Sequence, residues 1–192
     1  MMTSLWRHHI LPFSLLLGLL AFATLAGDYF LHQMNLVWVG RYLGILGVVL
    51  IFISFIYSLR KRKLITAGKP KSLLTFHELT AWLGSLLVLI HAGIHFNAIL
   101  PWLATLAMSV NVVSGLVGKL LLGQSRRHLQ GEHDDLQLQG LSRVEVDQAL
   151  FWDAVTLDAM TQWRKVHIPI FIIFVILALG HIISIFLFWG WL

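Results

Sequence analysis

Apolar positions dominate five long stretches of the chain, at about residues 10–30, 36–59, 73–95, 99–122 and 166–189, with short polar breaks between most of them. A span of about 20 apolar residues, rising about 1.5 Å each, crosses the roughly 30 Å of a bilayer's hydrocarbon. All five stretches meet that length. The breaks "LHQMNL", "RKRKLITAGKPKS" and "FNAILP" are short, and only 123–165 is long. Within it, "GEHDDLQLQG" is polar and reads as loop. The following "SRVEVDQALFWDAVTLDAMTQWRK" sets Val146, Leu150, Leu157 and Met160 near helical spacing, with Glu145, Asp147, Asp153 and Asp158 between them. That pattern predicts an amphipathic helix against the membrane surface or the other helices. Ser142 followed by Glu145 predicts a capping-box start. The fold class expected is all-α: an integral membrane bundle of about five transmembrane helices with one cytoplasmic amphipathic helix, forming a single domain over 1–192.

Composition agrees with the pattern. Of 192 residues, 58% are hydrophobic and 12% charged, against about 45–50% and about 25% in soluble domains. Mean hydropathy is +0.80. With no cysteine, disulfides, thiolate metal sites and cysteine-held iron–sulfur clusters are excluded within this chain. The first apolar run lacks a clear cleavage site, "FATLAGD" being the nearest approach, so it is expected to be a retained span.

Charge then orients the chain. Arg7, Arg60, Lys61, Arg62, Lys63, Lys69, Lys71, Lys119, Arg126, Arg127, Arg143, Arg164 and Lys165 fall on one side of the expected spans, and Arg41 alone on the other. The positive-inside rule makes the crowded side cytoplasmic, with the N-terminus, the 60–72 loop and the 123–165 segment. The basic pI of about 9.9 therefore reflects topology, and nucleic acid is not an expected partner. A bacterial inner membrane is the expected location, with lipid as the first partner.

Against this apolar background the histidines stand out. "HELTAWLGSLLVLIH" carries His77 and His91, and "VHIPIFIIFVILALGH" carries His167 and His181, both pairs fourteen residues apart. Imidazole is costly in hydrocarbon, so its presence there points to a function. Fourteen helical residues rise about 21 Å and turn about 1400°, close to whole turns. Each pair thus shares one helix face, with one histidine near each membrane edge. The third and fifth spans run in the same direction, so His77 and His167 share the cytoplasmic depth and His91 and His181 the outer depth. Two opposed imidazoles at each level suit the two axial positions of a haem iron. Gly84, seven residues from both His77 and His91, would let a flat macrocycle approach, although a small residue at a helix–helix contact explains it as well. Lys71, Arg164 and Lys165 are candidate partners for the propionates of a cytoplasmic haem and Arg41 for an outer one; topogenic charge accounts equally for the first three. Pro169 fits the first turn of a helix beginning near 166.

These paired H-x13-H patterns resemble the di-haem core of cytochrome b in quinol–cytochrome c oxidoreductases. They are similar also to the haem domain of ferric reductases and NADPH oxidases. The resemblance covers about 71–95 and 163–189. It implies a b-type cytochrome with two haems, one held by His77 and His167 and the other by His91 and His181. It further implies transmembrane electron transfer as a subunit of a larger oxidoreductase. The implied partners are a quinone and an iron–sulfur, flavoprotein or c-type cytochrome subunit. Departures accompany it: five expected spans rather than six or eight, no quinol-site signature, and no flavin or nicotinamide domain after the last span. The last point would place any reductive donor on another chain.

Alternatives remain open at this level. His95, four residues after His91, is an alternative outer ligand, or a proton or quinone contact. His91 and His95 with His32, and Asp28 nearby, could instead hold a transition ion. Glu78 is expected at the headgroups. His8, His9, His128 and His133 lie in polar sequence and are expected to be solvated. Trp6, Trp38, Trp102, Trp163, Trp189 and Trp191 fall near span ends, as interfacial anchors do. A lone-acting ferric or quinone reductase and a non-redox anchor or transporter are the competing functions. Hydrolytic motifs such as G-x-S-x-G and H-E-x-x-H are absent.

Overall fold

The structure, a computed structural model, describes residues 11–94 and 98–188. Among these residues there is no strand. The helices run in order α1 (Leu11–Gln33), α2 (Val37–Ser54), α3 (Ile56–Lys61), α4 (Pro70–Ile94), α5 (Ile99–Leu116), a π-helical turn at Val117–Leu122, α6 (Gly123–Leu138), α7 (Arg143–Ala149) and α8 (Phe151–Phe188). Five helical segments are long and apolar enough to cross a bilayer: Leu11–Gln33, Val37–Lys61, Pro70–Gly93, Ile99–Leu120 and Phe151–Phe188. They correspond to the five apolar runs.

Only 11% to 33% of each segment's apolar window is buried, so most apolar surface points outward. Phe22, Leu25, Ile45, Leu106, Ile176 and Phe186 are exposed, whereas Ser54, Thr80, Ser85, Asn111 and Ser114 are buried. A water-soluble core reverses that distribution. Lipid-facing helices show it because tails solvate leucine and phenylalanine, while helix contacts favour small and hydrogen-bonding residues.

Helix ends follow backbone chemistry. Asn35, Lys63 and Gly140 adopt φ of 55°, 61° and 85°, the left-handed conformation of a Schellman stop. The paired bonds are present at each, as in Leu36 N–H to Leu31 O at 2.8 Å and Asn35 N–H to His32 O at 3.2 Å. Ser142 and Glu145 form the expected capping box at the start of α7, with the Ser142 N–H donating to Glu145 Oε2 at 2.8 Å.

Two sequence expectations need correction. The polar stretch in "GEHDDLQLQG" is not loop: it lies largely within α6, which ends at Leu138. Its Gln, Glu and Leu are good helix formers whatever their polarity. The amphipathic segment and the fifth span are not separate helices either. From Phe151 they form one 38-residue helix with Pro169 in its interior rather than its first turn.

The chain divides into two compact units, Met1–Leu17 with Val110–Ile172, and Gly18–Ser109 with Ile173–Leu192. In the first, α6 packs on the π turn and on α7, and Val146 of α7 is fully buried. In the second, α2 and α4 form the most extensive helix pair, and that pair positions two of the candidate ligands.

Candidate functional site

In the second unit, α2 and α4 meet in a seven-residue register. His77, Gly84 and His91 of α4 stand opposite Ser54, Gly47 and Gly40 of α2. At one end His77 Nδ1 donates to the Ser54 carbonyl at 3.0 Å, and at the other His91 Nδ1 donates to the Gly40 carbonyl at 2.9 Å. Between them the backbones nearly touch. A Cβ placed on Gly84 would come within 2.7 Å of the Gly47 carbonyl oxygen, and one on Gly47 within 2.7 Å of the Gly84 oxygen. Seven residues make nearly two turns, so the three rungs line one face of each helix.

These bonds settle the tautomer of both rings. A carbonyl oxygen only accepts, so Nδ1 carries the proton and the neutral ring has its lone pair on Nε2. Metal-ligating histidines show the same arrangement, donating through one ring nitrogen to a carbonyl while the other binds the metal. His77 also stacks on Tyr57 of α3, with centroids 5.5 Å apart and planes 29° apart. The His91 ring lies against Gly44, where a Cβ would be 2.7 Å from Cγ and Cδ2.

His91 of α4 and His181 of α8 come together within this unit, their ring centroids 6.4 Å apart at an interplanar angle of 52°. Two metal–imidazole bonds of about 2.0–2.1 Å, plus two ring half-widths, separate the centroids of opposed ligands by about 6 Å. The observed centroid spacing matches that distance, while His91 Nε2 itself lies 2.9 Å from the position a Gly44 Cβ would take. Gly180, beside His181, has room for a Cβ at 3.6 Å from Leu100.

His167 belongs to the first unit. Its Nδ1 lies 2.6 Å from the Ser114 hydroxyl. Asn111, one turn earlier on α5, reaches the same residue through the backbone. Oriented by this network, its amide nitrogen donates to the His167 carbonyl at 2.7 Å and its oxygen accepts from the Phe171 N–H at 2.9 Å. Ser114 is 1% exposed and Asn111 7%. His77 and His167 therefore lie in different units, each fixed by its own neighbours.

The remaining expected site residues are placed as follows. Gly84 faces α2, so the space above it holds the Gly47 backbone and Ile51. Arg41 is exposed beside Gly40, and Lys71 is exposed near the start of α4. The Lys165 ammonium donates to Gln162 Oε1 at 3.1 Å. Arg164 lies in α8, its side chain outside the described set. His95 lies outside the described residues. Among those described, no group of three or more His, Asp or Glu is placed to hold a metal ion. His32 Nδ1 donates to its own helix at the Asp28 carbonyl, 2.8 Å away, and the Asp28 carboxylate sits against Gly93.

Gly40, Gly44, Gly47, Ser54, Asn111 and Ser114 were not singled out from the sequence. The signal was the small-residue spacing in "GRYLGILG" and, in the fourth span, Asn111 and Ser114 three apart among a few polar residues. No protein-family model, curated protein or solved structure matches the chain.

Proposed function

We propose that the chain is a membrane cytochrome b that holds two b-type haems and carries electrons across the bilayer, as one subunit of a larger oxidoreductase. The observation that carries this reading is the pair His91 and His181, 6.4 Å apart, with His91 locked by Gly40 in the tautomer that ligates through Nε2. His77 is held the same way by Ser54. The donor set also suits the group, since neutral imidazoles in an apolar span favour a bis-histidine centre. The sequence spacing, not the geometry, pairs His77 with His167 for a cytoplasmic haem; His91 with His181 would hold the outer one.

When bound, each haem supplies a one-electron ferric/ferrous couple. The chain's own residues do the rest. The α2 carbonyls keep the α4 imidazoles oriented and raise their basicity as ligands. The surrounding apolar side chains exclude water, and so help set the potential. With two histidines to hold it, each haem would transfer single electrons rather than bind oxygen. Arg41, Lys71, Arg164 and Lys165 are placed by sequence to meet propionates near the two membrane faces. A quinone is the small-molecule partner proposed, with an iron–sulfur, flavoprotein or c-type cytochrome subunit at the other end. The basic 60–72 loop and the 123–165 segment face the cytoplasm in this reading, following the charge asymmetry.

Oxidised and dithionite-reduced absorption spectra of protein purified from haem-sufficient cells test it. A low-spin b-type α-band with two haems per chain is expected. A colourless preparation of folded protein would sink the proposal and favour a non-redox anchor or transporter. Rapid turnover of quinol or ferric iron by the isolated chain would favour the lone-acting reductase.

A further inference from the structure

Three of the four candidate ligand rings are held through Nδ1, but not by equivalent partners. His77 and His91 use backbone carbonyls of α2, which no side-chain substitution removes. Among the described residues the His181 ring has no hydrogen bond. His167 is held by a side chain, the Ser114 hydroxyl. We infer that Ser114 and Asn111 are positioning residues, a two-point latch that orients His167 as an axial ligand and lowers the reduction potential of the haem it holds. The inference rests on the di-haem reading above.

Burial gives the first reason. Both side chains are buried in an apolar span, where a polar group must find an internal partner. Both direct their bonds to one residue of α8, Ser114 to the ring and Asn111 to the backbone. The second reason is the local state of α8. An uninterrupted helix pairs the Phe171 N–H with the His167 carbonyl, and the Asn111 amide spans those same two groups. Pro169 lies between them, and an interior proline removes the ladder bond to the carbonyl four residues back, that of Lys165, and crowds it. The Asn111 amide does not replace that bond; it ties α8 to α5 within two residues of the proline. It thereby fixes the direction in which the His167 Cα–Cβ bond points.

The ring contact then sets chemistry. Ligation through Nε2 requires a proton on Nδ1, which donates to Ser114 Oγ. Donation to a desolvated acceptor makes the imidazole a more basic ligand and favours the ferric state. Loss of the hydroxyl therefore raises the potential of one haem only.

Redox titration of the haem-loaded full chain, followed by absorbance, tests this. Ser114→Ala is expected to shift one of two transitions upward by about tenfold in the oxidised-to-reduced ratio, ~59 mV for one electron. It should also weaken that haem's retention by about 10–100-fold, with the other transition unmoved. Ser114→Thr, which keeps the hydroxyl, is expected to restore both, and Asn111→Leu to deplete the same haem. If Ser114→Ala does not accumulate, Ser114→Cys, of similar size and a weaker acceptor, gives the same reading. Two retained haems with neither transition moved would overturn the latch and leave the di-haem reading standing. Wild-type protein without haem would overturn both.

Discussion

At the scale of single residues, the glycines of α2 and α4 are not interchangeable, and the difference is testable. At Gly84 an added methyl would meet a carbonyl oxygen of α2 at 2.7 Å. Backbone cannot step aside, so the helices must separate. Gly84→Ala is expected to destabilise by about 1–3 kcal/mol, the usual cost of overpacking. At Gly44 the obstacle is the His91 ring, which can move, but only by giving up the Gly40 carbonyl. Gly44→Ala should therefore spare most of the fold and, on the di-haem proposal, cost the outer haem, leaving one haem per chain. Gly18 of α1 is the control, since nothing lies within 4 Å of a Cβ there. Gly18→Ala should be neutral or stabilise by up to about 0.5–1 kcal/mol. Thermal unfolding in detergent and haem stoichiometry separate the three outcomes. Equal destabilisation by all three would mean that the α2–α4 register is not what holds these rings.

At the scale of elements, readability depended on what a segment exposes. Five spans were evident because hydrocarbon tolerates only apolar, internally bonded helix, and hydropathy reports that directly. The α6 helix was missed because its polarity resembles that of a loop. Proline is common at a helix start, which is where the spacing puts Pro169; it lies inside α8 instead. The paired histidines on α4 and α8 were visible from spacing alone. The α2 face opposite them was not, since glycines and a serine leave hydropathy almost unchanged. The Ser142–Glu145 box was read correctly because its signal is local, and it carries a pH prediction. The Ser142 N–H, then its hydroxyl, hold the Glu145 carboxyl below its ordinary value. A group whose folded-state pKa is depressed stabilises above its unfolded pKa, and that contribution is lost as pH falls through the folded value. Amide exchange across Arg143–Ala149, corrected for intrinsic rates, should show protection at neutral pH that declines below the ordinary carboxylate range. Glu145→Gln should flatten the decline. Protection that rises on acidification in the wild type would contradict the assignment.

For the whole molecule, orientation in the bilayer matters most to the proposed function, because it would decide which proposed haem meets which partner. Hydropathy is blind to it. The charges are not: thirteen of fourteen lysines and arginines fall on one side of the five-span arrangement, with Arg41 alone opposite. Basic residues resist translocation, so the connection between α3 and α4 should lie in the cytoplasm and the turn between α1 and α2 outside. The absence of cysteine makes the measurement clean, since each introduced thiol is the only one present. Thr66→Cys, in the α3–α4 connection, should resist a membrane-impermeant maleimide in intact cells and react only after permeabilisation. Met34→Cys, exposed in the α1–α2 turn, should react in intact cells. Methionine is preferred there to Asn35, whose φ of 55° is unfavourable for most side chains. The reverse labelling pattern would exchange the two faces. The haem assigned to His77 and His167 would then meet extracytoplasmic partners, and the direction of electron entry would have to be rebuilt from that side.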